Sequence, residues 1–180
     1  MEEDFVPDPA ATGGDRLDGE GWSFEALFTP GHAPDHLCFA LMGTEILFSG
    51  DHVMGWNTSV VAPPEGNMGD YIRSLELLTE RSDRTYFPGH GGQVEEPQRL
   101  VKAYLLHRRM REHAIRDCIR RAANTAQAIV RGRLPRPRPQ ALNAATLSVL
   151  AHVEHFEVSA VSWRMQAPLS ESRVLSTVSS

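Results

Sequence analysis

Apolar and polar residues partly alternate from Trp22 to Thr29 (WSFEALFT), which predicts a strand stopped by Pro30-Gly31. Two short apolar runs follow, Leu37 to Met42 and Glu45 to Ser49. Gly43-Thr44 between them predicts a hairpin. Gly50 then lets the backbone turn sharply beside Asp51. Residues 1–20 are polar, hold Gly13-Gly14 and several acids, and are expected as a loop or frayed end. Val60 to Gly69 contains Pro63, Pro64, Gly66 and Gly69, which predicts another loop.

The period changes after that loop. Tyr71, Leu75 and Leu78 fall at helical spacing with Ile72 beside them, so a helix is expected from the cap Asp70 to near Arg81. Thr85 to Phe87 predicts a short buried strand ended by Pro88. Pro97 opens a long helix expected to run to about Asn124. Its stripe is Leu100, Tyr104, His107, Ile115 and Cys118, interrupted by Arg111. A short helix over Thr125 to Val130, a Pro/Arg connector over Arg131 to Pro139 and a helix over Ala141 to Glu157 come next. Leu142, Val149, Val153 and Phe156 share one face of that last helix. Val158 to Met165 is expected as a strand or hairpin, and the Ser-rich end from Ser170 as loosely ordered. Mixed strands and helices in this order indicate an α/β fold. The boundary is expected at Pro97, dividing residues 1–96 from 97–180.

Composition narrows the class. A chain of 180 residues supports one or two small domains with real cores. No apolar run is long enough to span a membrane. Met-Glu-Glu-Asp at the start lacks the apolar region of a signal peptide, so a cytoplasmic location is expected. Cys38 and Cys118 make no disulfide framework and are expected as buried free thiols. The net charge of −5 is uneven: ten arginines face only Glu112 and Asp117 between Arg108 and Arg138. Such a basic stretch admits RNA as a partner. Against that, the helix over Ala141 to Glu157 has no Arg or Lys and carries Glu154 and Glu157, a poor reader of DNA.

Chemistry concentrates in three turns. Thr29 to His36 reads Thr-Pro-Gly-His-Ala-Pro-Asp-His, then come Ser49-Gly50-Asp51 and Pro88-Gly89-His90-Gly91. Each presents a metal-ligand type, His32, Asp51 or His90, just past an expected strand. Nineteen residues from His32 to Asp51 leave room for a hairpin, and thirty-nine more to His90 for a loop-helix-strand unit.

These segments, with Phe48 to Thr58 (FSGDHVMGWNT) and Tyr86 to Gly92, resemble the later metal motifs of the metallo-β-lactamase fold hydrolases. The resemblance covers roughly residues 15 to 163. It is closest to the branch with a C-terminal winged-helix-like tail, which includes the β-lactamase-like endoribonucleases. It implies the C-terminal part of an αββα sandwich followed by a small helical winged-helix-like domain. The family's first metal motif, His-x-His-x-Asp-His, does not occur here, since none of the eight histidines forms a His-x-His. The chain is therefore expected to be the back part of a longer enzyme, incomplete at its N-terminus.

By motif match His32 would bind one metal, His90 a second, and Asp51 would bridge them as the catalytic carboxylate. Zinc is the expected ion, with manganese or iron as alternatives. Asp35 and His36 would orient a ligand imidazole. His52 is expected to point away as a structural residue. Trp56, Asn57 and Thr58 would line a substrate cleft. The resemblance implies hydrolysis of an ester, thioester or related bond in a small-molecule substrate by metal-activated water. Endoribonuclease-like processing is one alternative, and an inactive truncated chain or interaction module is another. Without the first half, the sheet face and edge that it covers would be exposed, so association through that face is expected.

Overall fold

The first four strands follow one another across the sheet because short links tie each strand to the next, and the fifth joins them after a helical crossover. In the computed structural model, which describes residues 11–121, 126, 129, 130 and 145–156, the elements are β1 (Arg16–Gly19), β2 (Trp22–Phe28), β3 (Leu37–Leu41), β4 (Ile46–Gly50), α1 (Met68–Thr79), β5 (Thr85–Pro88) and α2 (Pro97–Arg120). They build one five-stranded sheet in chain order. The first three pairings are antiparallel, and β5 joins β4 in parallel after the α1 crossover.

The β3–β4 hairpin forms as expected. β1 corrects the expected loop over residues 1–20. All four of its side chains are exposed, so it has no apolar alternation to betray it. Its strand state comes from backbone pairing, Arg16 with Glu25 through Gly19 with Trp22.

Register sorts the strands into two faces. Cys38, Ala40, Leu47 and Tyr86 point inward and are buried with Tyr71, Leu75 and Leu78 of α1 and Val101, Tyr104 and Leu105 of α2. Burying each large apolar side chain there contributes roughly 1.5–3 kcal/mol. The opposite face carries Trp22, Phe24, Phe28, Phe39, Phe48 and Phe87. Phe24 meets Trp22, Phe39 and Phe48 at ring-centre distances of 5.3, 6.5 and 5.5 Å, and Phe48 stacks on Phe87 at 5.5 Å. Trp22, Phe28, Phe48 and Phe87 all remain exposed.

α1 is capped by Asn67, whose side chain accepts from the Asp70 N–H at 3.0 Å. Asp70, the expected cap, sits inside the first turn and pairs with Arg73. On α2 the buried stripe includes Arg108, whereas His107 is exposed. Residues 145–156 are helical and pack Val149, Val153 and Phe156 with Ile115 and Cys118. The expected connector over Arg131 to Pro139 and the elements beyond Glu157 lie outside the described residues, and with them the winged-helix form of the tail. Cys38 and Cys118 are free and buried. Among the described residues no helix is long and apolar enough to cross a membrane.

A candidate metal-binding edge

Strand direction brings the three turns together. β2 and β4 are each antiparallel to β3, so they run parallel to one another, and β5 is parallel to β4. The C-terminal ends of β2, β4 and β5 therefore share one sheet edge, where ligands of α/β sheets collect. His32 follows β2, Asp51 follows β4 and His90 follows β5.

The His32 turn is seated on the start of α1. The Asn67 N–H donates to the Gly31 carbonyl at 2.9 Å, and Ser74 Oγ donates to the Pro30 carbonyl at 2.8 Å. Gly31 has φ 135°, and a Cβ there would lie 2.3 Å from Tyr71 Cα, so only glycine allows the contact. His32 Nδ1 lies 2.7 Å from the Val60 carbonyl oxygen. A carbonyl only accepts, so Nδ1 carries the hydrogen, and in the neutral ring Nε2 keeps its lone pair.

Asp51 stands between the two histidines. His32 Nε2 is 3.8 Å from Asp51 Oδ2, and His90 Nε2 is 3.6 Å from Oδ1. Both separations are too long for hydrogen bonds. One carboxylate thus presents a different oxygen to each imidazole. The peptide behind it is pinned by the Gly89 N–H donating to the Gly50 carbonyl at 2.8 Å and by Ser59 Oγ donating to the Asp51 carbonyl.

Donors about 2.0–2.2 Å from a common zinc ion can span about 4 Å, so each histidine–oxygen pair fits a cation between its two atoms. Donor type and span fit; donor number falls short. Each position has two side chains, with Asp51 shared, whereas zinc sites take three or four protein ligands. Among the described residues no three His, Cys, Asp or Glu side chains group closely enough to hold one ion.

The neighbouring groups divide into those at the edge and those away from it. His36 is half-buried: its Nδ1 is 2.9 Å from Thr29 Oγ1, and its Nε2 faces Gly50. Burial first, then the nearby His32, holds its pKa below the usual range. Asp35 is exposed and, among the described residues, bonds to no histidine. The group that orients His32 is therefore the Val60 carbonyl, in place of the expected Asp35 or His36. His52 turns inward as expected and is fully buried, its ring 4.6 Å from that of Tyr71. Burial, then His36, pushes its pKa down to about 3, so it is neutral.

Trp56 is 71% exposed and lies over the backbone at Gly91, beside His90. Its loop is tied down by the Gly55 N–H to the His90 carbonyl at 3.2 Å. Tyr104 Oη also lies 2.6 Å from both the Met54 and Asn57 carbonyl oxygens. The Asn57 side chain accepts from the Thr58 N–H, closing its own turn. Beyond the loop an open groove of about 350 Å³ is lined by Gly55, Gln93, Val94, Arg99 and Leu100. Val60, Ser59 and Tyr104 escaped the sequence reading, because Val60 acts through its carbonyl, Ser59 through a loop hydroxyl with no motif to mark it, and Tyr104 reads as core.

Residues 2–90 match the family model described as Metallo-beta-lactamase superfamily. A lactamase-like protein, adaB, of Aspergillus niger is 33% identical over 120 residues, which is 67% of this chain and 37% of the relative. An atrochrysone carboxyl ACP thioesterase of Aspergillus fumigatus is 36% identical over 114 residues, 62% of this chain and 35% of the relative. The fold matches the crystal structure of a metallo-beta-lactamase family protein from Thermus thermophilus. Its TM-score is 0.71 and its identity 24%, over 87% of this chain and 50% of that chain. The matched region thus spans less than two fifths of these curated relatives.

Proposed function

Since the chain belongs to the metallo-beta-lactamase superfamily through residues 2–90, we propose that its His32, Asp51 and His90 edge forms part of a metal-dependent hydrolytic centre. The observation that carries this is the shared carboxylate, with Asp51 Oδ2 turned to His32 and Oδ1 to His90. What the cation supplies when bound is Lewis acidity, which lowers the pKa of water and polarises the scissile group. The chain's own residues supply position. The Val60 carbonyl fixes the His32 tautomer and ring plane. Asp51 offers two oxygens with a single negative charge, as a ligand shared between two ions requires. Trp56 walls the mouth beside His90. With two donors per position, metal held by this chain alone is weak, and further ligands from another segment or chain complete the site.

The thioesterase relative makes an acyl thioester the first substrate to test, ahead of an ester. RNA processing is less favoured. Arg99, Arg109, Arg116 and Arg120 on α2 each pair with an acid, which reduces the field left for phosphates. The test is metal content and thioester hydrolysis, with and without a polypeptide carrying His-x-His-x-Asp-His. Retained metal and turnover, both lost in His32→Ala and His90→Ala, support the proposal. Turnover that survives both substitutions sinks it.

A further inference from the structure

The contact between α2 and the 145–156 helix buries positive charge with, among the described residues, no acid paired to it. Arg108 and Arg111 stand three residues apart on one face of α2, and Ser148 and His152 four apart on the facing helix. Arg111 Nη1 reaches Ser148 Oγ at 3.4 Å, tying the helices together. Arg108 is 3% exposed; it donates from Nη2 to the Ser59 carbonyl and lies over the Tyr71 ring at 5.0 Å. Among the described residues neither arginine has a carboxylate partner, although the outward arginines of α2 do. Among the described residues, Arg108 Nε, Arg111 Nε and both ring nitrogens of His152 are buried without a hydrogen-bond partner. Burial, then Arg108, holds the Arg111 pKa below its usual value.

A buried guanidinium without a counter-charge is costly, and its fork of N–H donors matches planar and tetrahedral oxyanions. His107 is exposed one turn before Arg111, which is itself only partly covered, and both lie near enough to His152 to act on it electrostatically, so these two form the solvent-side rim of the cluster. We propose that this interface binds a phosphate-type oxyanion, gripped by the Nε–H groups of Arg108 and Arg111 and a ring N–H of His152. The site is separate from the His32, Asp51 and His90 edge, and no step of the proposed hydrolysis depends on it. Its occupant is either free phosphate or the phosphate of a monoester.

The test is thermal unfolding of the chain in a chelator, so that metal at the sheet edge does not contribute. Inorganic phosphate is titrated against chloride at matched ionic strength. Phosphate at about a hundredfold excess over its Kd is expected to raise Tm by roughly 5 °C or more, and to saturate. Arg111→Gln should abolish the rise, whereas Arg109→Gln, an exposed side chain paired with Glu76, should keep it. If Arg111→Gln does not fold, His107→Gln at the rim should shift the phosphate midpoint upward severalfold. An equal rise with phenyl phosphate assigns the site to a monoester, and a rise with inorganic phosphate alone assigns it to the free ion. No gain over chloride overturns the proposal. So does an undiminished gain in Arg111→Gln or, where that variant fails to fold, an unshifted midpoint in His107→Gln.

Discussion

Asp51 owes its position to a neighbour with no side chain. A Cβ at Gly89 would lie 2.6 Å from Asp51 Oδ1, the oxygen that faces His90. Gly89→Ala should therefore turn the carboxylate and weaken metal retention by about 10–100-fold, with little loss of fold because the residue is exposed. Metal titration beside a thermal melt checks both halves. His152 sets a pH limit of a different kind. Burial, then Arg108 and Arg111, pushes its pKa from 6.5 down to about 3. The folded chain keeps the ring neutral, while the unfolded chain takes up a proton below about pH 6.5. Stability is thus unaffected above that pH and is lost progressively down to about pH 3, by up to about 1.4 kcal/mol per pH unit. Replacing the ring by a neutral group, His152→Gln, should flatten the fall in Tm over this window relative to the native chain. An unchanged slope would show that His152 is protonated in the folded state.

At the scale of elements, α2 steadies the site it never enters. Tyr104 is buried, and its hydroxyl bonds the Met54 and Asn57 carbonyls on either side of Trp56. Tyr104→Phe removes the donor and leaves both carbonyls without it, at a cost of roughly 1–3 kcal/mol. Faster hydrogen exchange at Gly55 to Thr58, with α1 unchanged, is the expected signature. The strands β2 to β5 and both long helices were legible in the sequence, because Cys38, Ala40, Leu47, Tyr71, Leu75 and Leu78 keep the periods of their elements. β1 was not, since pairing alone makes Arg16 to Gly19 a strand. The three turns at the sheet edge were legible as Gly-His and Gly-Asp steps after strands. The Val60 carbonyl that orients His32 was invisible, because every residue has a carbonyl and only the folded path selects one. Arg108 was hidden too: sequence marks arginine as surface, while Ser59 and Tyr71 draw it inward.

For the whole molecule, the aromatic face is the main liability. Antiparallel strands with one solvated face alternate apolar with polar residues, yet five of the seven phenylalanines, at positions 24, 28, 39, 48 and 87, lie with Trp22 on the face away from α1 and α2, and Phe28, Phe48, Phe87 and Trp22 are exposed. Sedimentation velocity should show association that grows with protein concentration, and Phe48→Glu should reduce it by placing charge between Phe24 and Phe87. A native chain that stays monomeric across the concentration range would show that this face needs no cover. The order of the strands bears on a different property. Because β1 to β5 pair strictly in sequence, the three antiparallel ladders close short loops, and only the parallel β4–β5 ladder has a long passage, through α1, between its partners. Ladders between sequence neighbours form quickly and early. On a ribosome, each hairpin would therefore be ready to pair as its second strand emerges. The sheet edge that carries His32, Asp51 and His90 would then be complete once β5 has docked, before most of the tail is made.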